Sequence, residues 1–375
     1  MVKVCHVTSA HTRYDDRIFQ KECMSLSKKG YQVHLIVNDD CGDEIIDNVY
    51  ISSVNVGYNS RKKRILAIND ILKKALEIDA EIYHLHDPEL LAIAKKIKKC
   101  DKKVIFDSHE YYYDQIKAKQ YLPQILRTII AKLYYHYETY ICKSIDSVVS
   151  VCPISENGRT FDQFEGRCKK NVYIANYPVQ RNVGEKSYPD EFKVCYVGGL
   201  TYDRGITYLI DACYKAKCKL ILAGTFDEKE YKNELERKES FACVEYRGQC
   251  NYDEVCRIYK EASLGAATLL NVGQYFKANT FSVKVFEYFQ AKLPVMISNY
   301  PYAEKINKEH NFGISVKPDD INQMVEAIKY LNNNRDCLSE LGNNGFQLYE
   351  DKMNWEQESN NLFELYNELL GEQYA

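Results

Sequence analysis

Apolar runs of seven to nine residues recur along the first half of the chain. KVCHVTS (3–9), YQVHLIVND (31–39), EIYHLHD (81–87), KKVIFDSHE (102–110), SIDSVVSVC (144–152) and NVYIANYP (171–178) are the series. Between them, DRIFQKECMSLSKKG stops at Gly30, and ELLAIAKKIKKC (89–100) and a segment near 62–78 carry apolar residues at helical spacing. Short apolar runs read as strands buried on both faces, and the longer periodic segments as helices. That alternation predicts a parallel sheet covered by helices on both sides.

Charged and turn-rich NYPVQRNVGEKSYPDEF (176–192) interrupts the pattern and reads as a linker. The alternation then restarts, with strands at 192–200, 218–225, 244–249, 263–269 and 293–299. Helical segments fall at 206–216, 228–238, 252–262, 283–291 and 320–331. The predicted organisation is two Rossmann-like, doubly wound α/β domains, 1–183 and 184–354, followed by an amphipathic segment at 355–375. A length of 375 residues suits two domains of ordinary size. Ligands of such sheets bind beyond the carboxyl ends of the strands, so two of them facing a cleft would hold two substrates.

Composition narrows the class. Apolar residues make up 45% and charged residues 27%, the balance of a soluble globular protein. No stretch reaches the ~18 apolar residues of a membrane span. The opening MVKVCHVTSAHTRYDD meets charge too early for a signal peptide. Fourteen cysteines spread from Cys5 to Cys337 without a C-x-x-C pair, a pattern of reduced thiols in a cytoplasmic chain and not of a zinc site. Residues 1–183 carry a net +5 and residues 184–375 a net −8. Neither half is basic enough to suggest nucleic acid.

Four stretches carry chemistry. In NTFSVKVFEYFQAKLPVMISNYP (279–301) a polar segment leads into a helix and then a buried strand. The backbone amides of Thr280, Phe281, Ser282 and Val283 would mark a helix N-terminus, a ready anion site. Glu287 lies one turn on, between Phe286 and Tyr288, and either accepts two ribose hydroxyls or is a solvated helix glutamate. In VCYVGGLTYDRGITYLIDA (194–212), a strand, Gly198-Gly199 and a helix bring backbone close to a diphosphate. Arg204 offers a bidentate fork to phosphate, with Lys284 as a second cation or a solvent-facing lysine. His109 in VIFDSHEYY, and His86 with Asp87 in YHLHDPELL, end consecutive strands and so reach one sheet edge. In SAHTRYDDRIFQKE (9–22), His11, Asp16 and Arg17 are acceptor-side candidates. Asp15 or Asp16 would cap the helix, while Arg17 and Lys21, at i,i+4, hold an anion or pair with acids. No acidic pair marks a magnesium clamp, so neither metal nor cofactor is expected. Two further stretches, SRKKR (60–64) and the basic, apolar 115–143, have the mixture of an interfacial membrane segment. The pattern favours Ile125, Leu126, Ile129, Ile130 and Leu133 facing the domain core.

The 279–295 segment resembles the donor-binding motif of the family-4 retaining glycosyltransferases, which have the GT-B fold. That motif is Glu, seven residues, Glu, then an apolar stretch ending in Leu-Pro-Val, here Leu293-Pro294-Val295. The resemblance implies that Glu287 binds the nucleotide ribose, and Asn279 stands where the first glutamate belongs. An amide still hydrogen-bonds a sugar hydroxyl, without charge. Gly199 replaces the family's arginine after the first glycine, and Arg204 takes the place of its lysine on the donor diphosphate. By the same resemblance His109 contacts the reacting sugar. Lys284, Phe286, Glu287 and Tyr288 are similar to polysaccharide-assembly members, and the last helix crosses back onto the N-terminal domain. The implied activity is retaining, metal-independent transfer of a sugar from a nucleotide diphosphate, UDP being the commonest, to a glycan acceptor. A lipid-linked acceptor at the cytoplasmic membrane face, in cell-surface polysaccharide synthesis, fits the basic N-terminal half. The alternatives are a catalytically silent subunit of the same fold, favoured by Asn279 and Gly199, and a nucleotide-sugar epimerase.

Overall fold

The computed structural model describes residues 1–371 apart from 55, 57–59, 120–121, 157–158, 182 and 273–274. Parts of the expected linker (182), of the 115–143 segment (120–121) and of the tail (372–375) therefore lie outside the described residues, as does the side chain of Arg61. The chain divides into two compact units, residues 1–176 with 355–375, and residues 177–354.

The first unit contains β1 (Lys3–Val7), β2 (Gln32–Val37), β3 (Glu44–Ile46), β4 (Val49–Ser53), β5 (Ile82–Leu85), β6 (Lys103–Ser108), β7 (Ser147–Ser150), a small hairpin of β8 (Ile154–Glu156) and β9 (Arg159–Phe161), and β10 (Asn171–Tyr173). Its main sheet runs β10-β7-β6-β5-β1-β2-β4-β3, parallel except for the β3–β4 pair. The chain steps outward from β1 through β2 and β4, then resumes at β5 and steps the other way. The carboxyl ends of β1 and β5 therefore flank a topological switch point. Val7, Tyr83, Leu85, Val104 and Phe106 pack with Ala67, Ile71, Ile93 and Ile97 of the helices Arg61–Ile78 and Leu91–Lys98. The hydroxyl of buried Tyr83 donates to the carbonyl of Ala75 at 2.7 Å and accepts from the amide of Ala80 at 2.9 Å, so its burial leaves no polar atom unpaired. The helix Trp355–Leu370 closes this unit, with Trp355 Nε1 donating to Ser25 Oγ at 2.8 Å.

The second unit contains β11 (Lys193–Val197), β12 (Lys219–Ala223), β13 (Val244–Gly248), β14 (Leu264–Ala267), β15 (Val295–Ser298) and β16 (Gly313–Val316). They form one parallel sheet in the order β13-β12-β11-β14-β15-β16, with its switch point between β11 and β14. Both units are thus doubly wound α/β. The sequence pattern did not resolve β16, the helix Pro301–His310 or the helix Cys337–Lys352 of this unit, nor the β3–β4 excursion of the first.

Two expectations need correction. The unit boundary falls at 176/177, not 183/184. Tyr177 packs edge-on against Phe286 with centroids 5.0 Å apart, and Gln290 Nε2 donates to the carbonyl of Val179 at 2.9 Å. Those contacts bind the start of the presumed linker to the second unit. The helix Gln124–Cys142 also turns its aliphatic residues outward, contrary to the core placement. Ile125 is 78% exposed and Leu133 65%, with Leu126 and Ile129 also exposed; Ile130 is partly buried. The core contacts of this helix come instead from Ala131, Glu138, Ile141 and Cys142.

Gly205 sits at φ +74°, where a Cβ would lie 2.1 Å from the backbone oxygen of Thr268. Gly248 has a similar φ of +68° but open space around it. Gly205→Ala should therefore cost about 2–4 kcal/mol in urea unfolding, and Gly248→Ala only about 1 kcal/mol. Equal stabilities would show that the approach of β14 to this turn is not tight.

Candidate functional site

In the second unit the candidate residues gather at the carboxyl ends of β11 and β14. Gly198 follows β11 at φ +136°, a conformation open to glycine, and its amide donates to the carbonyl of Ala223 at 3.0 Å. Lys284 reaches the same place: its Nζ lies 3.6 Å from where a Cβ on Gly198 would stand. The lysine is buried, and its ammonium sits 4.8 Å from the centroid of the Tyr196 ring. Burial, and then the charge of nearby Arg204, lower Lys284 to about 7. Arg204 ends the single turn Tyr202–Arg204, partly exposed, with its guanidinium 5.5 Å from the Tyr275 ring centroid. Gly199 has open space where a side chain would project, and its carbonyl accepts from the Tyr196 hydroxyl at 3.0 Å.

The helix Val283–Gln290 begins at Ser282, whose hydroxyl is buried, makes no hydrogen bond and does not cap the helix. Backbone amides in the first turn of a helix have no carbonyl of their own helix to bond. Asn279 lies in the partly buried bend before this helix, and the Thr280 carbonyl accepts from the Tyr300 hydroxyl at 2.9 Å. The side chain of Phe281 is turned away into a cluster with Phe286, Phe289, Tyr302 and Phe312, so only its backbone can serve a ligand. Val283 is exposed. Glu287 is partly buried and accepts from the Tyr259 hydroxyl through Oε2 at 2.7 Å. Tyr259 escaped the sequence reading, because it comes from a different helix, Tyr252–Glu261.

In the first unit, β5 and β6 deliver His86, Asp87 and His109 to the switch point. His109 is 14% exposed, and its Nε2 lies 3.2 Å from His86 Nδ1 and 3.6 Å from Asp107 Oδ2. The His11 ring lies beside it, tilted by 55° with ring centroids 4.9 Å apart. Asp87 is buried and fastens the first loop, accepting from Thr8 Oγ1 at 2.8 Å and from the amides of Ser9 at 2.6 Å and Ala10 at 3.2 Å. Burial opposes a charge on His11, but the bond to Asp15 and the charge of Asp87 outweigh it and raise its pKa.

The following helix, Asp16–Cys23, is wound as a π-helix, so partners stand five residues apart and not four. Asp15 caps it, with Oδ1 accepting from the amides of Arg17 and Ile18 at 2.9 Å each. Asp16 pairs with Lys21 at 2.5 Å, and Arg17 with Glu22 at 3.1 Å. Arg17 is buried and points inward, its Nε also 2.9 Å from Asp107 Oδ2. It is therefore engaged within the unit and not presented to an acceptor, which corrects one of the two sequence alternatives. Lys21 is likewise buried, donating to Asn176 Oδ1 at 2.8 Å.

His6 and His84, which the sequence reading passed over, complete a buried cluster with His86. His6 Nδ1 lies 2.9 Å from His86 Nε2, and the Tyr366 hydroxyl lies 3.1 Å from His6 Nε2 and 3.0 Å from His84 Nδ1. Burial drives His6 and His84 well below the ordinary imidazole range and His86 down to about 4. Burial also drives Glu22 up, whereas Arg17 and His109 overcome the burial of Asp107 and hold it well below the carboxylate range. Two sets of donor atoms each converge closely enough for one metal ion: His6, Glu22, His84 and His86, and His86, Asp107 and His109.

Comparison with known proteins bears on the family and the fold. The family model "Glycosyl transferases group 1" matches residues 181–348, and "Glycosyltransferase Family 4" matches residues 5–157. An uncharacterized glycosyltransferase of Methanocaldococcus jannaschii is 26% identical over 200 residues, covering 51% of this chain and 49% of that protein. The match thus spans about half the length of that relative. Sucrose-phosphate synthase from Thermosynechococcus elongatus superposes with a TM-score of 0.76 at 15% identity over 99% of both chains. Anabaena HepE, crystallised with UDP and glucose, superposes with a TM-score of 0.71 at 11% identity over 98% of this chain and 99% of its own. With both units matched in order by the two family models and the fold shared along the whole chain, the protein belongs to the family-4 type of glycosyltransferases with the GT-B fold.

Proposed function

We propose that this protein transfers a sugar from a UDP-linked donor, with retention at the anomeric carbon, to a lipid-linked glycan at the cytoplasmic membrane face, in cell-surface polysaccharide synthesis. The observation that carries the reading is the meeting of Gly198, Arg204 and Lys284 at one switch point, with Glu287 one turn along the same helix as Lys284. A diphosphate leaving group gains negative charge as the glycosidic bond breaks. Two cations and helix-terminal amides fixed in advance stabilise that charge without reorganisation. On this reading protein cations do the work of a metal at the diphosphate. Glu287, oriented by Tyr259, accepts the ribose hydroxyls, Asn279 bonds the donor sugar, and His109 lies by its reacting carbon. His11, His86 and Asp87 shape the acceptor side. UDP in HepE supports the choice of base.

Calorimetry with UDP tests the donor site. Glu287→Ala should weaken UDP by about ten- to a hundredfold, or about 1.4–2.8 kcal/mol. Affinity should also fall as pH rises through about 7, where free Lys284 loses its proton. A bound anion favours the ammonium, so the midpoint of that loss moves upward on binding. Lys284→Met should flatten the profile. Unchanged UDP affinity in Glu287→Ala would displace the ribose site.

For turnover, Arg204→Ala should cost about 2–4 kcal/mol of transition-state stabilisation with the fold intact by circular dichroism. A donor-by-acceptor activity screen provides the assay. Normal turnover in this variant would remove Arg204 from the diphosphate.

Membrane docking is supported by the helix Gln124–Cys142, which exposes Ile125, Leu126, Ile129, Leu133, Tyr137 and Tyr140 together with Lys132. Among the described residues no helix is long and apolar enough to cross a membrane, so contact would be interfacial. Lys62 and Lys63 are exposed, while Arg64 pairs with Glu89 at 3.3 Å. Each basic residue contributes about 1 kcal/mol at an anionic surface. Anionic liposomes should therefore retain the wild type at low salt. They should lose the variant with Ile125, Ile129 and Leu133 changed to Ser, and bind less of the variant with Lys62 and Lys63 changed to Ser. A chain that ignores such liposomes, yet glycosylates a soluble acceptor, would sink this part of the proposal.

A further inference from the structure

The buried cluster at the first switch point has a geometry that its hydrogen bonds do not explain. Glu22 is sealed from solvent, and neither of its carboxylate oxygens makes a hydrogen bond; its one close cation is Arg17, with Nε 3.1 Å from Oε1. Its Oε2 is ringed by three imidazole nitrogens, His6 Nδ1 at 3.6 Å, His86 Nε2 at 3.8 Å and His84 Nδ1 at 3.9 Å. All four side chains are wholly buried. We propose that His6 Nδ1, His84 Nδ1, His86 Nε2 and Glu22 Oε2 are the ligands of one tetrahedral divalent metal ion, zinc before others, that ties β1, the first helix and β5 together.

Three features of the cluster fit this assignment. Ligand atoms about 2.0–2.1 Å from a tetrahedral zinc are separated by about 3.3 Å. The separations of 2.9 Å between His6 and His86 and 3.6–3.9 Å around Glu22 lie on both sides of that edge, and all four donor atoms fall within 4.8 Å of one another, so loading draws them inward. Three imidazoles and a carboxylate are also a donor set suited to zinc, and they leave no open position, as in a structural site.

Ligating histidines bond a polar group through the other ring nitrogen, and two of the three rings do so here. His6 Nε2 lies 3.1 Å from the Tyr366 hydroxyl and His86 Nδ1 3.2 Å from His109 Nε2, while His84 Nε2 makes no hydrogen bond and has Asp107 Oδ2 3.9 Å away. Loading takes His84 Nδ1 from Tyr366, whose hydroxyl keeps His6 Nε2 as its donor.

Charge points the same way: two buried carboxylates, Glu22 and Asp107, share one buried guanidinium, with Arg17 Nε 3.1 and 2.9 Å from them.

This site is separate from the diphosphate-binding residues of the second unit and does not depend on the donor assigned to them. Because the ligands are sealed from water, the ion has to enter as the unit folds. The experiment therefore uses the full chain without an affinity tag, denatured with chelator, then refolded with and without zinc or cobalt and passed over a desalting column. Elemental analysis should find about one ion per chain after refolding with either metal. The cobalt form should show the intense visible bands of tetrahedral coordination, and the metal-loaded chain should melt above the metal-free one. Glu22→Gln, which keeps the side-chain shape, should refold without retaining the ion. Wild-type chain that refolds in zinc or cobalt with no retained ion and an unchanged melting temperature would overturn the proposal, leaving Glu22 as a buried acid. Full retention by Glu22→Gln would overturn it equally.

Discussion

Arg17, buried between Asp107 and Glu22, is the interaction on which the first unit depends. Withdrawing a guanidinium and two carboxylates from water costs several kcal/mol per ion, and only close mutual contact offsets it. That contact is available in one placement, with the first helix laid over the end of β6 and the Nη1 of Arg17 3.3 Å from the carbonyl of Ile174 beyond β10. The helix in turn fixes where its Asp15 cap stands, and so where the loop from Ser9 must run. Asp87 fastens the other end of that loop. His11, His86 and His109 meet because both ends of one loop are tied down by buried carboxylates.

The second unit solves the opposite electrostatic problem. Its switch point gathers positive charge, with Lys284 buried against the Tyr196 ring and within the field of Arg204. Such a pair is destabilising unless an anion lies beside it. The apolar cluster of Phe281, Phe286, Phe289 and Phe312 holds the helix that carries Lys284 and Glu287. Stability there comes from apolar burial, and the first-turn amides of the helix have no carbonyl of their own helix to bond.

Much of this was legible in the chain. Alternating strand and helix patterns determined two doubly wound sheets, because side-chain period reports backbone shape directly. Glycine after β11, a cation beyond it, and a carboxylate one turn into the helix at 283 could be placed at the ends of their elements, since each lies beside its strand or helix in sequence. The acidic pair before the first helix likewise declared a cap at Asp15 or Asp16, and the structure places it at Asp15. Tertiary structure alone decided the rest. The i,i+4 spacing of Arg17 and Lys21 suggested a shared face, but π-winding paired each with a residue five positions away, and tertiary packing carried both side chains inward. The aliphatic face of Gln124–Cys142 looked like core because composition does not say which side of a helix the sheet will cover. His6, Glu22, His84 and His86 span 80 residues and meet only because β1 and β5 are neighbours in the sheet. Strand order is set by the packing of the whole unit, and no local pattern of residues encodes it.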